Sequence, residues 1–218
     1  MEVQWESSRG VGRHRNRGGF RALHAEIPRG ALAGPGYGMV VLTGLSGTGK
    51  SAALAELAAA GEQVLDLQAL ACHRGSAFGA FGMPEQPTHK AFQATVRDVL
   101  AARDPARVLW VEHCPRYLGS VGLPEELLEA IAAAPTFRLS RPRPERIAAI
   151  VAEYGGAGLD QWRAALRRIS SRLGPARTTA VQAALDAADL LAAVDVLLTY
   201  YDPNYLALER DQAALRPP

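Results

Sequence analysis

The feature that most restricts the fold of this chain is a glycine-rich octapeptide, GLSGTGKS, at residues 44–51. It fits the pattern G-x-x-x-x-G-K-[S/T], which forms a phosphate-binding loop when a strand precedes it and a helix follows it. Both neighbours have that character: GMVVLTG is a compact apolar run with β-branched residues, and SAALAELAAAG consists of good helix formers and ends at a glycine. The octapeptide therefore predicts a strand, loop and helix unit of a parallel sheet.

The rest of the chain continues this alternation of strands and helices. Further strands are predicted in EQVLDL, RVLWVE and TFRLS, and further helices in THKAFQATVRDVLAA and PEELLEAIAAA. From Pro144 onward the pattern is helical, through PERIAAIVAEYGG, LDQWRAALRRISSRLG and TTAVQAALDAADLLAAVDVLLTYY. The rhythm indicates an α/β fold, with a P-loop NTPase-like parallel sheet, helices on both faces and a helical C-terminal part.

Composition separates the start of the chain from the remainder. Residues 1–37 are rich in glycine and arginine, and only FRALHAEI has a helical pattern, so we predict a basic arm and linker with one short helix. Residues 38–218 are predicted to form the P-loop domain with its helical C-terminal extension. The net charge of +2 does not by itself indicate a nucleic-acid binder, although arginines crowd residues 9–21 and 138–177.

The sequence also bears on where the protein works. It has no run of about 18 uncharged apolar residues, and its start lacks the apolar core of a signal peptide. Cys72 and Cys114 lie far apart and give no disulfide framework, which fits a reducing compartment. We therefore expect a cytoplasmic protein with no membrane partner.

The octapeptide predicts a site for phosphate groups and Mg²⁺. Its glycines let consecutive backbone N–H groups converge on phosphate oxygens, and the following helix adds the positive end of its dipole. Lys50 adds a point charge, and the Ser51 hydroxyl is a ligand for Mg²⁺. The predicted phosphate-binding residues are Gly44, Ser46, Gly47, Thr48, Gly49, Lys50 and Ser51. The loop alone does not distinguish ATP or GTP from another diphosphate.

Two carboxylates end neighbouring predicted strands. Glu112 closes RVLWVE and Asp66 closes EQVLDL, so both should emerge at the carboxyl edge of the sheet, where open α/β sheets bind ligands. We interpret Glu112 as a metal ligand, directly or through water, and Asp66 as a residue facing an acceptor hydroxyl or acting as a base. Acidic residues at strand ends also cap helices, which is the alternative for each of them.

The segment ACHRGSAFGAFG, after the second strand, carries further candidates. Arg74 is suited to bidentate phosphate binding, and His73 has an intrinsic pKa suited to proton transfer, whereas a plain surface loop is the alternative. Cys72–His73 and His113–Cys114 both follow strand ends, so a Cys/His metal site is a further alternative, although the spacing matches no standard zinc motif.

Several motifs occur together in an order and spacing that resemble one known family. They are GLSGTGKS, VLDLQALACHRGSAFG, QPTHKAF, VLWVE followed by RYLG and LP, ERIAAIVAEY and YYDPNY. Together they resemble the P-loop domain of the bacterial tRNA 2-selenouridine synthases over nearly the whole chain. HRGS-x-FG and YYDP-x-Y are the specific elements, because the phosphate loop occurs in many families.

The resemblance implies an activity and a donor. Enzymes of that family replace the sulfur of 2-thiouridine in tRNA by selenium, through an S-geranylated intermediate made from geranyl diphosphate. We therefore expect a stand-alone P-loop subunit that transfers a prenyl group to the sulfur of tRNA or of a small thiolated metabolite. Lys50, Mg²⁺ and Arg74 would stabilise the departing pyrophosphate. Phe78 and Phe81 are candidates for contact with the prenyl chain, with core packing as their alternative.

The chain also departs from the family pattern. The rhodanese domain that precedes the P-loop domain in the family has no counterpart in this sequence, so a separate rhodanese or selenium-carrier protein is an expected partner. Gln68 and the His113–Cys114 pair stand where the family tends to have acidic residues. These replacements weaken the case for metal binding or acid–base chemistry by carboxylates at those positions.

Two other functions fit the same residues. One is a small-molecule or nucleoside kinase that uses ATP and Mg²⁺, with Asp66 facing the acceptor and the arginines of RPRPER closing over the phosphates. The other is a non-catalytic nucleotide-binding partner, which the missing acidic positions would explain.

Overall fold

A computed structural model describes residues 2–7, 10–14 and 38–214, with side chains for residues 38–207. The strands are β1 Glu2–Ser7, β2 Gly10–His14, β3 Met39–Thr43, β4 Gln63–Leu65, β5 Leu109–Glu112, β6 Tyr117–Leu118, β7 Val121–Gly122 and β8 Thr136–Ser140. The helices are α1 Lys50–Ala59, α2 Leu67–Ala71, α3 His89–Ala102, α4 Glu125–Ala133, α5 Arg143–Tyr154, α6 Leu159–Leu173, α7 Pro175–Asp186 and α8 Leu190–Ala214. Within the described residues, no helix is both long enough and apolar enough to cross a membrane.

The main sheet has the strand order β2-β1-β8-β3-β5-β4. Strands β8, β3, β5 and β4 run parallel, which confirms the predicted parallel α/β sheet. The sheet is extended by β1, which pairs antiparallel with both β8 and β2. These two strands lie in the arm, where no strand was predicted, and the short helix predicted in FRALHAEI lies outside the described residues.

Helices cover both faces of the parallel strands. Alternate residues of β3 point to opposite faces, so Val41 packs against the side of α3 and α4, whereas Val40 and Leu42 pack against the side of α1. Each face has its own apolar cluster, one containing Phe92 of α3 and the other containing Leu54 of α1. Burial on both faces explains why β3 reads as a continuous apolar run rather than an alternating one.

The C-terminal helices form a separate cluster around Trp162, Leu166 and Leu197. The run over residues 178–201, predicted to be helical, contains parts of two helices, because α7 ends at Asp186 and α8 begins at Leu190. Ala188 takes a left-handed conformation with φ 55°, and the Asp189 carboxylate accepts a hydrogen bond from the N–H of Ala192. This capping interaction starts a new helix inside a run of good helix formers.

The second predicted strand is shorter than EQVLDL. β4 ends at Leu65, because Asp66 caps α2 and turns the chain away from the sheet. A two-stranded hairpin of β6 and β7, which the sequence did not predict, follows β5. The carboxyl ends of the four parallel strands meet at one edge, and the segments that follow them supply the candidate site.

Candidate phosphate-binding site

The octapeptide forms the predicted loop between β3 and α1. Gly44, Gly47 and Gly49 have φ values of 136°, 78° and 95°, which residues with a Cβ rarely adopt. A Cβ on Gly47 would also lie 2.6 Å from the carbonyl oxygen of Arg146. The Thr48 hydroxyl donates to the carbonyl of Leu45 at 2.8 Å and closes the loop from within.

The beginning of α1 is free to face a ligand. Gly49 is the N-cap, and no side chain caps the helix. The first N–H groups of a helix have no partner inside it, so an uncapped start beside a curled loop suits an anion. Ser46 is half-buried at the turn of the loop. The geometry therefore fits phosphate binding by the predicted residues, which stays a prediction.

Lys50 folds back over its own loop. Its Nζ donates to the carbonyl oxygens of Gly44 at 2.6 Å and Leu45 at 3.3 Å. The same ammonium lies 4.8 Å from the ring centroid of Tyr205 on α8. These contacts hold the positive charge beside the loop, where it would meet a bound phosphate.

Glu112 lies opposite the loop at the end of β5, the strand next to β3. It is fully buried, and its Oε2 accepts a hydrogen bond from the Ser51 hydroxyl at 3.4 Å. Its Oε1 is buried and has no hydrogen-bond partner among the described residues. Burial raises the pKa of Glu112 to about 7, while the nearby Lys50 ammonium acts in the opposite direction.

The pair formed by Ser51 and Glu112 fits a divalent cation. Mg²⁺ prefers oxygen ligands, and a hydroxyl beside a carboxylate with one unpartnered oxygen supplies them. A cation there would also compensate a charge that burial disfavours. Bound Mg²⁺ would neutralise negative charge on phosphate oxygens. The metal role of Ser51 and Glu112 stays a prediction with this geometry in its favour.

Asp66 acts as a helix cap in this structure. Its Oδ1 accepts a hydrogen bond from the N–H of Ala69 at 2.9 Å, which starts α2. Its negative charge contributes to raising the pKa of Glu112, so the two carboxylates lie on the same side of the sheet edge. The structure thus realises the capping alternative, while a role of Asp66 toward an acceptor stays untested.

His73 and Arg74 are both engaged by neighbouring groups. His73 is mostly buried, and its Nδ1 accepts a hydrogen bond from the N–H of Gly75 at 3.0 Å. Burial lowers the pKa of His73, and the positive charge of Arg168 lowers it further. Arg74 donates to the carbonyl of Phe81 at 2.6 Å and pairs with Glu153 at 2.8 Å. These contacts hold the HRGS segment against α5 and leave the proposed catalytic roles as predictions.

The two phenylalanines of this segment belong mainly to the helical cluster. Phe78 is buried against Trp162 with a centroid distance of 5.0 Å, so core packing accounts for it. Phe81 is half-buried, with edge contacts to Tyr154 at 6.2 Å and Trp162 at 5.6 Å. Only Phe81 is therefore placed where an apolar ligand could reach it.

The cysteines do not form the alternative metal site. Within the described residues, no group of three or more His, Cys, Asp or Glu side chains is arranged to hold a metal ion. Burial raises the pKa of the Cys114 thiol strongly, which makes it inert as a nucleophile. Cys72 is a half-buried free thiol and the left-handed C-cap of α2, with φ 48°.

Sequence reasoning considered Arg141 only as one of the RPRPER arginines of a kinase and assigned no role to Tyr205, yet both residues contact the site. Arg141 donates to the carbonyl of Gly47 at 3.2 Å. Tyr205 donates through its hydroxyl to the His113 carbonyl at 3.1 Å, beside Glu112, and covers Lys50. The motifs RPRPER and YYDPNY contain these two residues, but the sequence does not show which residue of each motif contacts a loop that is distant in the chain.

Comparison with known proteins agrees with the observed fold. A family model described as the tRNA 2-selenouridine synthase AAA domain matches residues 37–215. The tRNA 2-selenouridine synthases of Cupriavidus pinatubonensis and Cupriavidus necator are 32% and 34% identical to the chain and align over 97% and 98% of it. That of Marinobacter nauticus is 31% identical over 94% of the chain. No solved structure gives a significant match.

The chain spans 65% of the length of each of the two Cupriavidus relatives. The match to the family model covers the phosphate loop, the strand with Glu112, the HRGS segment and the YYDPNY segment. The resemblance inferred from these motifs is thereby confirmed. We conclude that this chain belongs to the family of the tRNA 2-selenouridine synthase AAA domain.

Proposed function

We propose that this chain acts in tRNA modification as a transferase, moving a prenyl group from a diphosphate donor to the sulfur of 2-thiouridine or of a related thiocarbonyl compound. The observation that carries the proposal is the phosphate loop facing the buried Glu112 and Ser51 pair, in a member of this family. That arrangement suits a diphosphate, because it combines backbone donors, one ammonium and a cation site. Geranyl diphosphate is the donor we would test first.

The chemistry asked of the site is stabilisation of a leaving group. The sulfur forms a new C–S bond to the first carbon of the prenyl chain as the C–O bond to the diphosphate breaks. The diphosphate departs with the electron pair, and the proton on N3 of the thiouracil ring is released to solvent. Lys50 and the loop N–H groups would bind the growing negative charge, which lowers the barrier more than it strengthens donor binding.

Replacement of sulfur by selenium would need a selenium-carrying partner. Burial raises the pKa of the Cys114 thiol, so this residue is not suited to carry it. A separate rhodanese-type protein is therefore part of the proposal. The arginines of residues 9–21 would bind the tRNA backbone, so binding of tRNA should weaken steeply with salt.

A kinase is the second candidate, and one observation favours it. A cavity of about 120 Å³ lies beside the phosphate loop, lined by Leu45, Thr48, Arg138, Leu139, Ser140, Arg141 and Arg146. Arginines beside a phosphate loop suit phosphoryl transfer. However, the Arg143 and Arg146 guanidinium groups are paired with Asp195 and Asp202, whereas the Arg141 guanidinium donates to the carbonyl of Gly47 in the loop.

The deciding experiment has two stages. First, calorimetric titration with geranyl diphosphate, ATP and GTP, each with Mg²⁺, compares the wild type with Lys50→Ala. Second, the preferred ligand is incubated with an anticodon stem-loop containing 2-thiouridine, and a uridine stem-loop serves as the control. A mass increase of one prenyl group on the thiolated RNA alone supports the proposal. ATP consumption without any prenyl transfer, across a panel of nucleosides, would support the kinase instead.

A further inference from the structure

Helix α8 reaches the phosphate loop through one aromatic side chain. The first half of the helix is anchored in the C-terminal cluster by Ala193, Val194, Leu197 and Leu198. Farther along, the Tyr205 ring covers the Lys50 ammonium at 4.8 Å from its centroid. A cation at this distance over an aromatic face is attracted by the ring. A residue near the C-terminal end of the described chain thus contacts the ammonium of the phosphate loop.

The Tyr205 ring is fixed in place by the strand that carries the carboxylate. Its hydroxyl donates to the His113 carbonyl at 3.1 Å and lies 3.2 Å from His113 Nδ1. Because the hydroxyl has one hydrogen, this pattern requires the tautomer in which Nδ1 carries its proton and donates to the Tyr205 oxygen. The two rings also meet edge to face at a centroid distance of 5.4 Å. Tyr205 therefore bridges Lys50 and the residue next to Glu112.

A second contact on the same face of α8 sets the position of the helix. Asp202, three residues before Tyr205, accepts two hydrogen bonds from Arg146 at 3.0 and 2.6 Å. Arg146 is only 3% exposed, and its backbone carbonyl abuts the loop at Gly47. Pro203 lies between the two contacts and cannot donate a helix hydrogen bond, which loosens the helix where it meets the site. Docking of this end therefore depends on Asp202 and Tyr205.

We propose that Tyr205 is a positioning residue of the phosphate site, which holds the Lys50 ammonium over the loop and couples phosphate binding to docking of residues 203–214. An arriving phosphate draws Nζ away from the carbonyls of Gly44 and Leu45, and the ring keeps it from turning out into water. By thermodynamic linkage, a docked helix end that improves phosphate binding is stabilised by phosphate to the same degree. The inference needs only the phosphate site, whichever donor occupies it.

The test uses inorganic pyrophosphate with Mg²⁺ as the probe and the full chain in three variants. Tyr205→Leu should raise the pyrophosphate Kd about tenfold, in the range of a cation–π contact. Tyr205→Phe keeps the ring and loses the contact of the hydroxyl with His113, so it should raise the Kd only about two- to threefold. Leu191→Ala alters an exposed apolar residue at the other end of α8 and should leave the Kd unchanged. Melting temperatures establish that the variants fold alike.

Hydrogen exchange of residues 203–214 gives an independent readout. Pyrophosphate should slow exchange there in the wild type and in Tyr205→Phe, and should not in Tyr205→Leu. The inference would be overturned if the wild type and Tyr205→Leu had equal Kd values, or if pyrophosphate did not change hydrogen exchange of residues 203–214 in the wild type. A chain that shows both effects but transfers no prenyl group refutes the proposed function alone. A wild type that binds no pyrophosphate refutes both.

Discussion

Replacing Glu112 with Gln should stabilise the protein at pH 8 much more than at pH 5. Burial raises the pKa of Glu112 from its usual 4.5 to about 7. Between these pH values the folded protein retains a proton that the unfolded chain has released, so stability falls as the pH rises through this window. At about 1.4 kcal/mol per pH unit, the loss across the window is roughly 3 kcal/mol.

Gln has the shape of the protonated carboxyl and does not titrate, so the variant lacks this loss. We expect Glu112→Gln to gain about 3 kcal/mol at pH 8 and below about 1 kcal/mol at pH 5. For a domain of this size, the gain at pH 8 corresponds to a rise in Tm of roughly 6 to 12 °C. Urea unfolding in EDTA at both pH values, followed by tryptophan fluorescence, measures the free energy of unfolding directly.

The control is Glu129→Gln, which removes an exposed carboxylate from α4 and should change stability little at either pH. Adding Mg²⁺ at pH 8 should stabilise the wild type and leave Glu112→Gln unaffected, because the amide of Gln lacks the negative charge that binds the cation. A gain of the same size at pH 5 and pH 8 would refute the reasoning, since it would show that ionisation of Glu112 costs nothing. So would the absence of any gain at pH 8.

Three further predictions follow from single contacts. Gly47→Ala should abolish pyrophosphate binding measured by calorimetry, because the new Cβ would lie 2.6 Å from the Arg146 carbonyl oxygen and the φ of 78° disfavours alanine. A variant with wild-type affinity would contradict this prediction. Arg146→Ala leaves Asp202 without its bidentate partner and should lower the free energy of unfolding by about 3 kcal/mol, measured by urea unfolding. A loss under about 1 kcal/mol would contradict this and mean that water replaces the guanidinium. In the native protein, a thiol reagent should label Cys72 and spare Cys114, and mass spectrometry showing equal labelling would disprove the burial of Cys114.

The local chemistry of the chain was enough to predict the main architecture. Strand β3, the loop and α1 follow from an apolar run, glycines at positions of positive φ and a stretch of helix formers, all of which act over a few residues. The same applies to β5, β8 and the helices that separate them. The break between α7 and α8 shows the limit, because composition gave no signal for the end of α7 at Asp186 or for the cap at Asp189 that starts α8.

The candidate site was predicted in part. Phosphate-loop residues are contiguous, so their motif identifies them without a fold, and Glu112 was found because strand ends of a parallel sheet share an edge. The sequence assigned Glu112 to the metal and Asp66 to the acceptor, with helix capping as the alternative for each of them. The structure separates them: Glu112 is buried against Ser51, and Asp66 caps α2. The deciding factor was where β4 ends: Asp66 caps α2, so the chain leaves the sheet before this residue.

The sequence by itself determined that this chain folds as a parallel α/β sheet around a phosphate loop, because periodicity and loop chemistry are local properties. Only the tertiary structure decided that β1 extends the sheet, that Arg74 pairs with Glu153, and that Tyr205 covers Lys50. These contacts join residues up to about 155 positions apart in the chain, and no local pattern encodes such a meeting. The contact between Tyr205 and Lys50, for example, forms when α8 packs beside α5 and its end lies over the loop.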